Sequence, residues 1–275
     1  MFIDIQGIPI YYEITGDGFP VVNLHGFYPD HRLMTGCMEP VFAAHPGWKR
    51  IYVDLPGMGR SGSAAWLQHA EQMLEIVVEL LRRLLPGQHF ALAGQSYGAY
   101  LSRAIIHHHP DLVDGVLMLC PLVIPQRQLR QRPPRVVLSR QPGLIESLPP
   151  AEAEAFQELA VIQTRATWAR TQAEVLSGMQ VANAEFLEAY RQSGYGFLYD
   201  IDALAQPFPR PALILAGCQD PRVGCRDAWK LTANYPHGTF VALDRSGHNL
   251  QIEQPEIFTL LAGEWLERVR QEMRP

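Results

Sequence analysis

The sequence predicts an α/β protein: a mostly parallel sheet with helices on both faces. Three observations carry this. Short aliphatic or β-branched runs alternate along most of the chain with segments whose apolar residues recur at helical spacing. Runs such as Pro20 to Leu24 carry little polar character, as suits strands covered on both faces. The run His89 to Ala93 passes through Gly94-Gln95-Ser96-Tyr97-Gly98 straight into an apolar periodic segment stopped by Pro110, a strand, turn and helix with no linker between them.

In chain order, Phe2 to Gln6 and Ile8 to Thr15 predict a hairpin around Gly7, with Gly16-Asp17-Gly18 as the next turn. Pro20 to Leu24 and Arg50 to Leu55 follow as strands. Met73, Leu74, Val77, Leu80, Leu81, Leu84 and Leu85 fall on one helical face, and Pro86-Gly87 ends that helix. The strand and helix around Ser96 come next, then strands at Gly115 to Leu119, Ala212 to Ala216 and Thr239 to Leu243. A closing helix is read from Ile257, Leu260, Leu261, Trp265 and Val269.

The rhythm breaks between 126 and 206. This stretch opens basic and proline-interrupted (Arg127, Arg130, Arg132, Pro133, Pro134, Arg135) and offers no convincing strand. Pro149-Pro150 starts a helix whose first turn carries Glu152 and Glu154, where a helix N-terminus favours negative charge. The expected organisation is a core of 1–125 and 207–275 with a helical insertion at 126–206. Ligands bind beyond the carboxyl ends of strands in open α/β sheets, so the insertion is expected to be a lid.

Composition narrows the function. The chain has 275 residues, 47% of them hydrophobic and 19% charged, an ordinary globular balance. A net charge of -5 without a long basic block argues against nucleic acid as the main partner. No apolar run reaches the ~18 residues of a membrane span, and Met1-Phe2-Ile3-Asp4-Ile5 does not read as a signal peptide. Cys37, Cys120, Cys218 and Cys225 form no C-x-x-C pair or zinc-like spacing, which fits a reducing compartment and a cytoplasmic protein.

The chemistry centres on Ser96. A turn this sharp leaves no room for side chains at its flanks, so glycine is needed at 94 and 98, and the serine is held exposed at the start of a helix. A serine hydroxyl needs a base, and the base an orienting carboxylate. His248, in a glycine-containing loop past the last strand, is the base candidate. Asp220, past the preceding strand, is the carboxylate candidate, with Asp244 a competitor near His248 in sequence. Alone, a loop histidine is ordinarily solvated and an aspartate before proline ordinarily a turn residue. Three strand-end positions in the order Ser, Asp, His are what point to acyl transfer. The expected oxyanion donors are the backbone N–H groups of Tyr97 and Phe27, the latter in His25-Gly26-Phe27.

On these pieces, with Asp54-x-x-Gly57-x-Gly59-x-Ser61, the chain resembles the α/β-hydrolase superfamily, in its lidded serine esterase, lactonase and proline iminopeptidase-like branch. The resemblance implies an eight-stranded sheet, a lid after the sixth strand and no cofactor. It also implies that Asp54 and its glycines brace loops. Serine at the elbow departs from the haloalkane dehalogenase branch, which has aspartate there, and Phe27 after Gly26 departs from the Gly-rich oxyanion loop of the hormone-sensitive type.

The expected function is hydrolysis of a small to medium, largely apolar ester, lactone or amide, with a small-molecule substrate and either a monomer or a homodimer. Alternatives are a proline iminopeptidase-like enzyme with Glu185 or Glu188 binding an amine, a non-hydrolytic acyltransferase, lyase or oxygenase, and a small-molecule receptor. Gly57-x-Gly59-x-x-Gly62 matches a dinucleotide fingerprint by letter, but no helix opens on it. His107-His108-His109 reads as a polar helix end instead of a metal site. The arginines from Arg127 to Arg140 are expected to pair with glutamates of the insertion or to be solvated, with contact to an anionic substrate at the lid as the alternative. Trp168, Tyr190, Tyr195, Phe197 and Tyr199 are expected to form its core, some lining the pocket.

Overall fold

The computed structural model describes residues 1–273. Its strands are β1 (Phe2–Ile5), β2 (Ile8–Thr15), β3 (Phe19–Leu24), β4 (Trp48–Val53), β5 (Phe90–Gln95), β6 (Val113–Leu119), β7 (Ala212–Gly217) and β8 (Gly238–Leu243). They form one sheet in the order β1-β2-β4-β3-β5-β6-β7-β8. β2 runs antiparallel to β1 and to β4, and every pairing from β4 to β8 is parallel. Gln6 and Gly7 both take positive φ (54° and 82°). Such a two-residue turn matches the twist of the strands it joins.

Every residue of β5 and β6 is buried, as the apolar runs require of central strands. The chain leaves β3 for β4 on one side and later returns to β5 on the other. The loops after β3 and β5 therefore part company at their carboxyl ends, and a crevice opens there. His25-Gly26-Phe27 and Ser96 sit at that switch point.

Helix α1 (His31–Ala44) was not apparent in the sequence. Gly36 and Pro40 interrupt its pattern, but Asp30 caps its start, accepting the Arg32 amide at 3.0 Å. α2 (Ala70–Leu84) buries the expected face, and α3 (Tyr97–His108) is buried from Tyr97 to Ile106. Past β6 come α4 (Pro150–Leu159), α5 (Arg165–Thr171, continuing through a π turn toward Met179) and α6 (Ala184–Ser193). A two-residue parallel pair, Ser139–Arg140 with Ile162–Gln163, interrupts this otherwise helical stretch. α7 (Pro255–Glu272) buries Phe258, Ala262, Trp265, Leu266 and Val269. Ile257 and Leu260, read from the sequence as part of its packed face, are exposed. Among the described residues no helix is long and apolar enough to cross a membrane, and all four cysteines are free.

Candidate active site

Ser96 stands at the end of β5 with φ 53° and ψ -109°. A non-glycine residue there carries strain of roughly 1–3 kcal/mol. Its backbone is pinned from three directions: the Ser96 amide donates to Leu119 O (2.9 Å), and Ser96 O accepts from Tyr100 N and Leu122 N (both 3.1 Å). Glycine at 98 is required by close approach, since a Cβ there would overlap the Leu24 carbonyl. A Cβ on Gly94 would stand 2.6 Å from the Ala99 amide. The chain thus has no room to relax away from the turn.

Asp220 and His248 are brought together by the loops after β7 and β8. His248 Nδ1 donates to Asp220 Oδ2 at 2.7 Å. Asp220 Oδ1 accepts the amides of Arg222 (2.7 Å) and Val223 (3.1 Å), so both carboxylate oxygens are engaged and the group cannot swivel. Arg130 and Arg132 clamp the same turn by donating to Arg222 O (3.0 Å) and Pro221 O (2.6 Å). Asp244, the competitor, instead accepts from Gln219 Nε2 at 3.1 Å.

Ser96 and His248 open onto one cavity of about 690 Å³. Among the described residues no hydrogen bond joins the Ser96 hydroxyl to the imidazole. The Cys120 thiol lies within 4.8 Å of both the Asp220 carboxylate and the His248 ring. Burial pushes that thiol well above its ordinary pKa and keeps it neutral.

The loop after β3 is held by His25. Leu55 N donates to His25 Nε2 at 3.0 Å, so the ring proton is on Nδ1, which donates to Gly26 O at 2.7 Å. Burial lowers the pKa of His25 and keeps it neutral. Gly26 O belongs to the same peptide plane as the Phe27 N–H, so this bond orients that donor. Neither Phe27 N nor Tyr97 N meets an acceptor among the described residues. The Phe27 and Tyr97 rings meet edge-on at 5.4 Å, Tyr97 stacks on Tyr195 at 4.8 Å, and the Tyr97 and Tyr190 hydroxyls lie 2.5 Å apart. Residues on both sides of β6 are therefore packed as one aromatic group. Of the aromatic residues singled out in the insertion, Tyr195 and Phe197 line the cavity.

Asp54 is a brace. Its Oδ1 accepts His31 N (2.8 Å) and His31 Nδ1 (2.7 Å), and its Oδ2 accepts Arg60 N (2.8 Å). Burial is the largest single influence and raises its pKa; the His31 hydrogen bond, the neighbouring histidines and the Arg60 amide together outweigh it, and the net direction is down. Among the described residues, the arginines from Arg127 to Arg140 form no ion pair with glutamates of their own segment. Arg130, Arg132 and Arg135 donate to backbone carbonyls, and Arg140 to glutamine side chains. Of the three consecutive histidines, His108 meets the Tyr199 hydroxyl at 2.6 Å and His107 the Ile201 carbonyl at 3.1 Å.

Glu253 was not singled out in the sequence. Its carboxylate accepts Gly247 N (2.6 Å), Val161 N (2.6 Å) and Ile162 N (3.2 Å). It therefore ties the His248 loop to the helical segment. Its only sequence signal is its place in the short helix after His248. Burial pushes its pKa from 4.5 up to about 7, against those three N–H donors. An acid whose folded pKa is raised contributes stability below its unfolded pKa, and loses it as pH rises through the folded one. Relative to Glu253→Gln, which does not titrate, the wild type is expected to lose up to about 3 kcal/mol as pH climbs from about 4.5 to about 7. Urea denaturation of both proteins across that range checks it. A stability difference that does not change with pH would contradict it.

Comparison with known proteins agrees with this architecture. A family model described as alpha/beta hydrolase fold matches residues 20–255. An Acinetobacter baylyi protein, (E)-2-((N-methylformamido)methylene)succinate hydrolase, is 24% identical over 258 residues, covering 94% of this chain and 93% of its own. Pimeloyl-[acyl-carrier protein] methyl ester esterase of Yersinia enterocolitica is 26% identical over 265 residues, covering 94% and 98%. The crystal structure of an alpha/beta superfamily hydrolase from Oenococcus oeni superposes with a TM-score of 0.87 at 27% identity, covering 95% and 96% of the two chains. Strand order, elbow and family match agree, and the chain belongs to the α/β-hydrolase fold family.

Proposed function

We propose that this protein is a serine hydrolase that cleaves an ester, lactone or amide through an acyl-enzyme on Ser96. The observation that carries it is the Asp220–His248 hydrogen bond, which occupies Nδ1 and leaves Nε2 as the free ring nitrogen of a residue that shares its cavity with Ser96. His248 takes the Ser96 proton as Oγ attacks the carbonyl carbon, and the oxyanion accepts from Phe27 N and Tyr97 N. The intermediate collapses, and His248 passes its proton to the leaving group. Water, deprotonated by His248, then attacks the acyl carbon, and Ser96 regains a proton as the acid departs. Catalytic hydrogen bonds commonly tighten only in the substrate complex, so the serine–imidazole contact belongs to that state.

The helical segment 126–206 acts as a lid on a core of 1–125 and 207–275. It contributes Leu159, Val175, Met179 and Tyr195 to the cavity wall. An amine-binding, aminopeptidase-like variant lacks support, because neither Glu185 nor Glu188 lines the cavity and Glu188 pairs with Arg191. Relatives that act on an ester and on a substituted methylenesuccinate favour hydrolysis as the chemistry.

Treatment with a reporter-tagged alkyl fluorophosphonate is expected to attach one label per chain, on Ser96, and to stop p-nitrophenyl butyrate hydrolysis in parallel. Hydrolysis that continues with Ser96 fully labelled would refute the proposal.

A further inference from the structure

The cavity is electrostatically one-sided. Arg127, Arg130, Arg191 and Arg222 line it, together with His248, and among the described residues no aspartate or glutamate does. This occurs in a chain with 28 acidic and 23 basic residues. Two of the four arginines are already engaged. Arg130 donates to the carbonyls of Ile124, Pro125 and Arg222, and Arg191 pairs with Glu188 at 3.1 Å. The guanidinium groups of Arg127 and Arg222 have neither a hydrogen bond nor an ion pair among the described residues. Asp220, and more weakly Glu158, act on Arg222 through space, but among the described residues neither forms an ion pair with its guanidinium.

Arg222 is also held in position. Its amide donates to Asp220 Oδ1 and its carbonyl accepts from Arg130, two residues from the acid that orients His248. Arg222 lines the cavity while remaining solvent-exposed; surrounding protein lowers its pKa, against the opposing pull of the Asp220 and Glu158 carboxylates. Arg222 and Arg127 both remain open to solvent, and no carboxylate bonds either guanidinium among the described residues, so an anion entering the cavity can take charge-assisted bonds from them. The Tyr195 hydroxyl, also lining the cavity, makes no hydrogen bond among the described residues, and burial raises its pKa to about 12, so it remains a donor. Leu33 on α1, with Val175 and Met179 at the end of α5, adds apolar lining to the same cavity.

We propose that the substrate carries a carboxylate, which Arg222 and Arg127 bind with the Tyr195 hydroxyl while the apolar lining takes the uncharged portion. The proposal presupposes the serine hydrolase function stated above and narrows it. The sequence-based expectation of a largely apolar substrate gives way to one that is apolar at one end and anionic at the other. Two guanidinium forks and one hydroxyl supply donors enough for both oxygens of a carboxylate.

The test compares p-nitrophenyl hydrogen succinate, glutarate and adipate with the same esters methyl-capped on the free acid. At one chain length or more, the wild type is expected to show kcat/KM about 10- to 100-fold higher for the free acid. Arg222→Gln is expected to collapse that ratio at least tenfold, mostly through KM, and Arg127→Gln to reduce it less. Capped esters that match or exceed their acids at every length would overturn the proposal, as would an Arg222→Gln variant that keeps the ratio. Calorimetry of Ser96→Ala with free glutarate and adipate separates the two ideas, because binding there needs no nucleophile. Dicarboxylate binding that disappears in Ser96→Ala/Arg222→Gln supports the anion site even if Ser96 proves not to react, and binding unaffected by Arg222→Gln refutes it even if Ser96 does.

Discussion

Ser96→Ala is expected to lower kcat on p-nitrophenyl butyrate by roughly 10⁴- to 10⁶-fold with KM nearly unchanged, since the nucleophile acts only in the chemical step. The interest of this variant lies in what it leaves alone. The three hydrogen bonds that pin residue 96 all come from its backbone. The hydroxyl makes no hydrogen bond among the described residues. Alanine keeps the Cβ and therefore keeps the strain of a φ of 53°. Folding stability is expected to move by no more than about 0.5 kcal/mol, as at a site where no packing or bonding is lost. Thermal denaturation alongside steady-state kinetics checks both halves. Activity of Ser96→Ala within tenfold of the wild type would exclude the acyl-enzyme route.

Asp220→Asn should be nearly as damaging, for a reason visible in the bonding of its two oxygens. Oδ1 accepts two amides, from Arg222 and Val223, while Oδ2 accepts the His248 ring proton. An asparagine can keep only one oxygen. Turned so that its carbonyl meets the two amides, it presents an NH₂ to His248 Nδ1. That donor forces the imidazole proton onto Nε2, the nitrogen that must accept the Ser96 proton. The opposite orientation drives an NH₂ against two N–H groups and leaves all three donors unsatisfied, at about 1–3 kcal/mol per buried group. The first orientation wins, and kcat is expected to fall by about 10⁴-fold with little loss of structure. Steady-state kinetics and the histidine ring ¹⁵N shifts together check it. A variant retaining a tenth of wild-type kcat, or showing His248 still protonated on Nδ1, would mean that Asp220 does not set the tautomer.

Much of this was legible in the chain because it rests on local rules. Gly94 and Gly98 announce a turn that admits no side chains, and that turn occurs where β5 meets α3. Asp220 and His248 follow strand-like runs at the sheet edge that carries Ser96, so topology alone brings them close. Helix α1 was not legible, because Gly36 and Pro40 lower its local propensity and the compensation is tertiary. A Cβ on Gly36 would run into the Glu174 carboxylate, more than a hundred residues away. Glu253 and Arg222 were missed for the same reason. A glutamate in an amphipathic context looks like surface, and only the fold reveals three amides converging on it. The basic stretch from Arg127 to Arg140 reads as a charged surface, whereas its arginines mostly hold carbonyls, a bond type with no sequence signature.

The clamp that Arg130 and Arg132 place on the Pro221–Arg222 turn bears on how such enzymes can be recombined. The segment between β6 and β7 looks like an exchangeable cassette, entered and left through loops. Its first residues, however, hold the acid loop of the other module in register. A crossover placed at residue 133 would keep that clamp with its host; one placed at 126 would swap it for a stranger's.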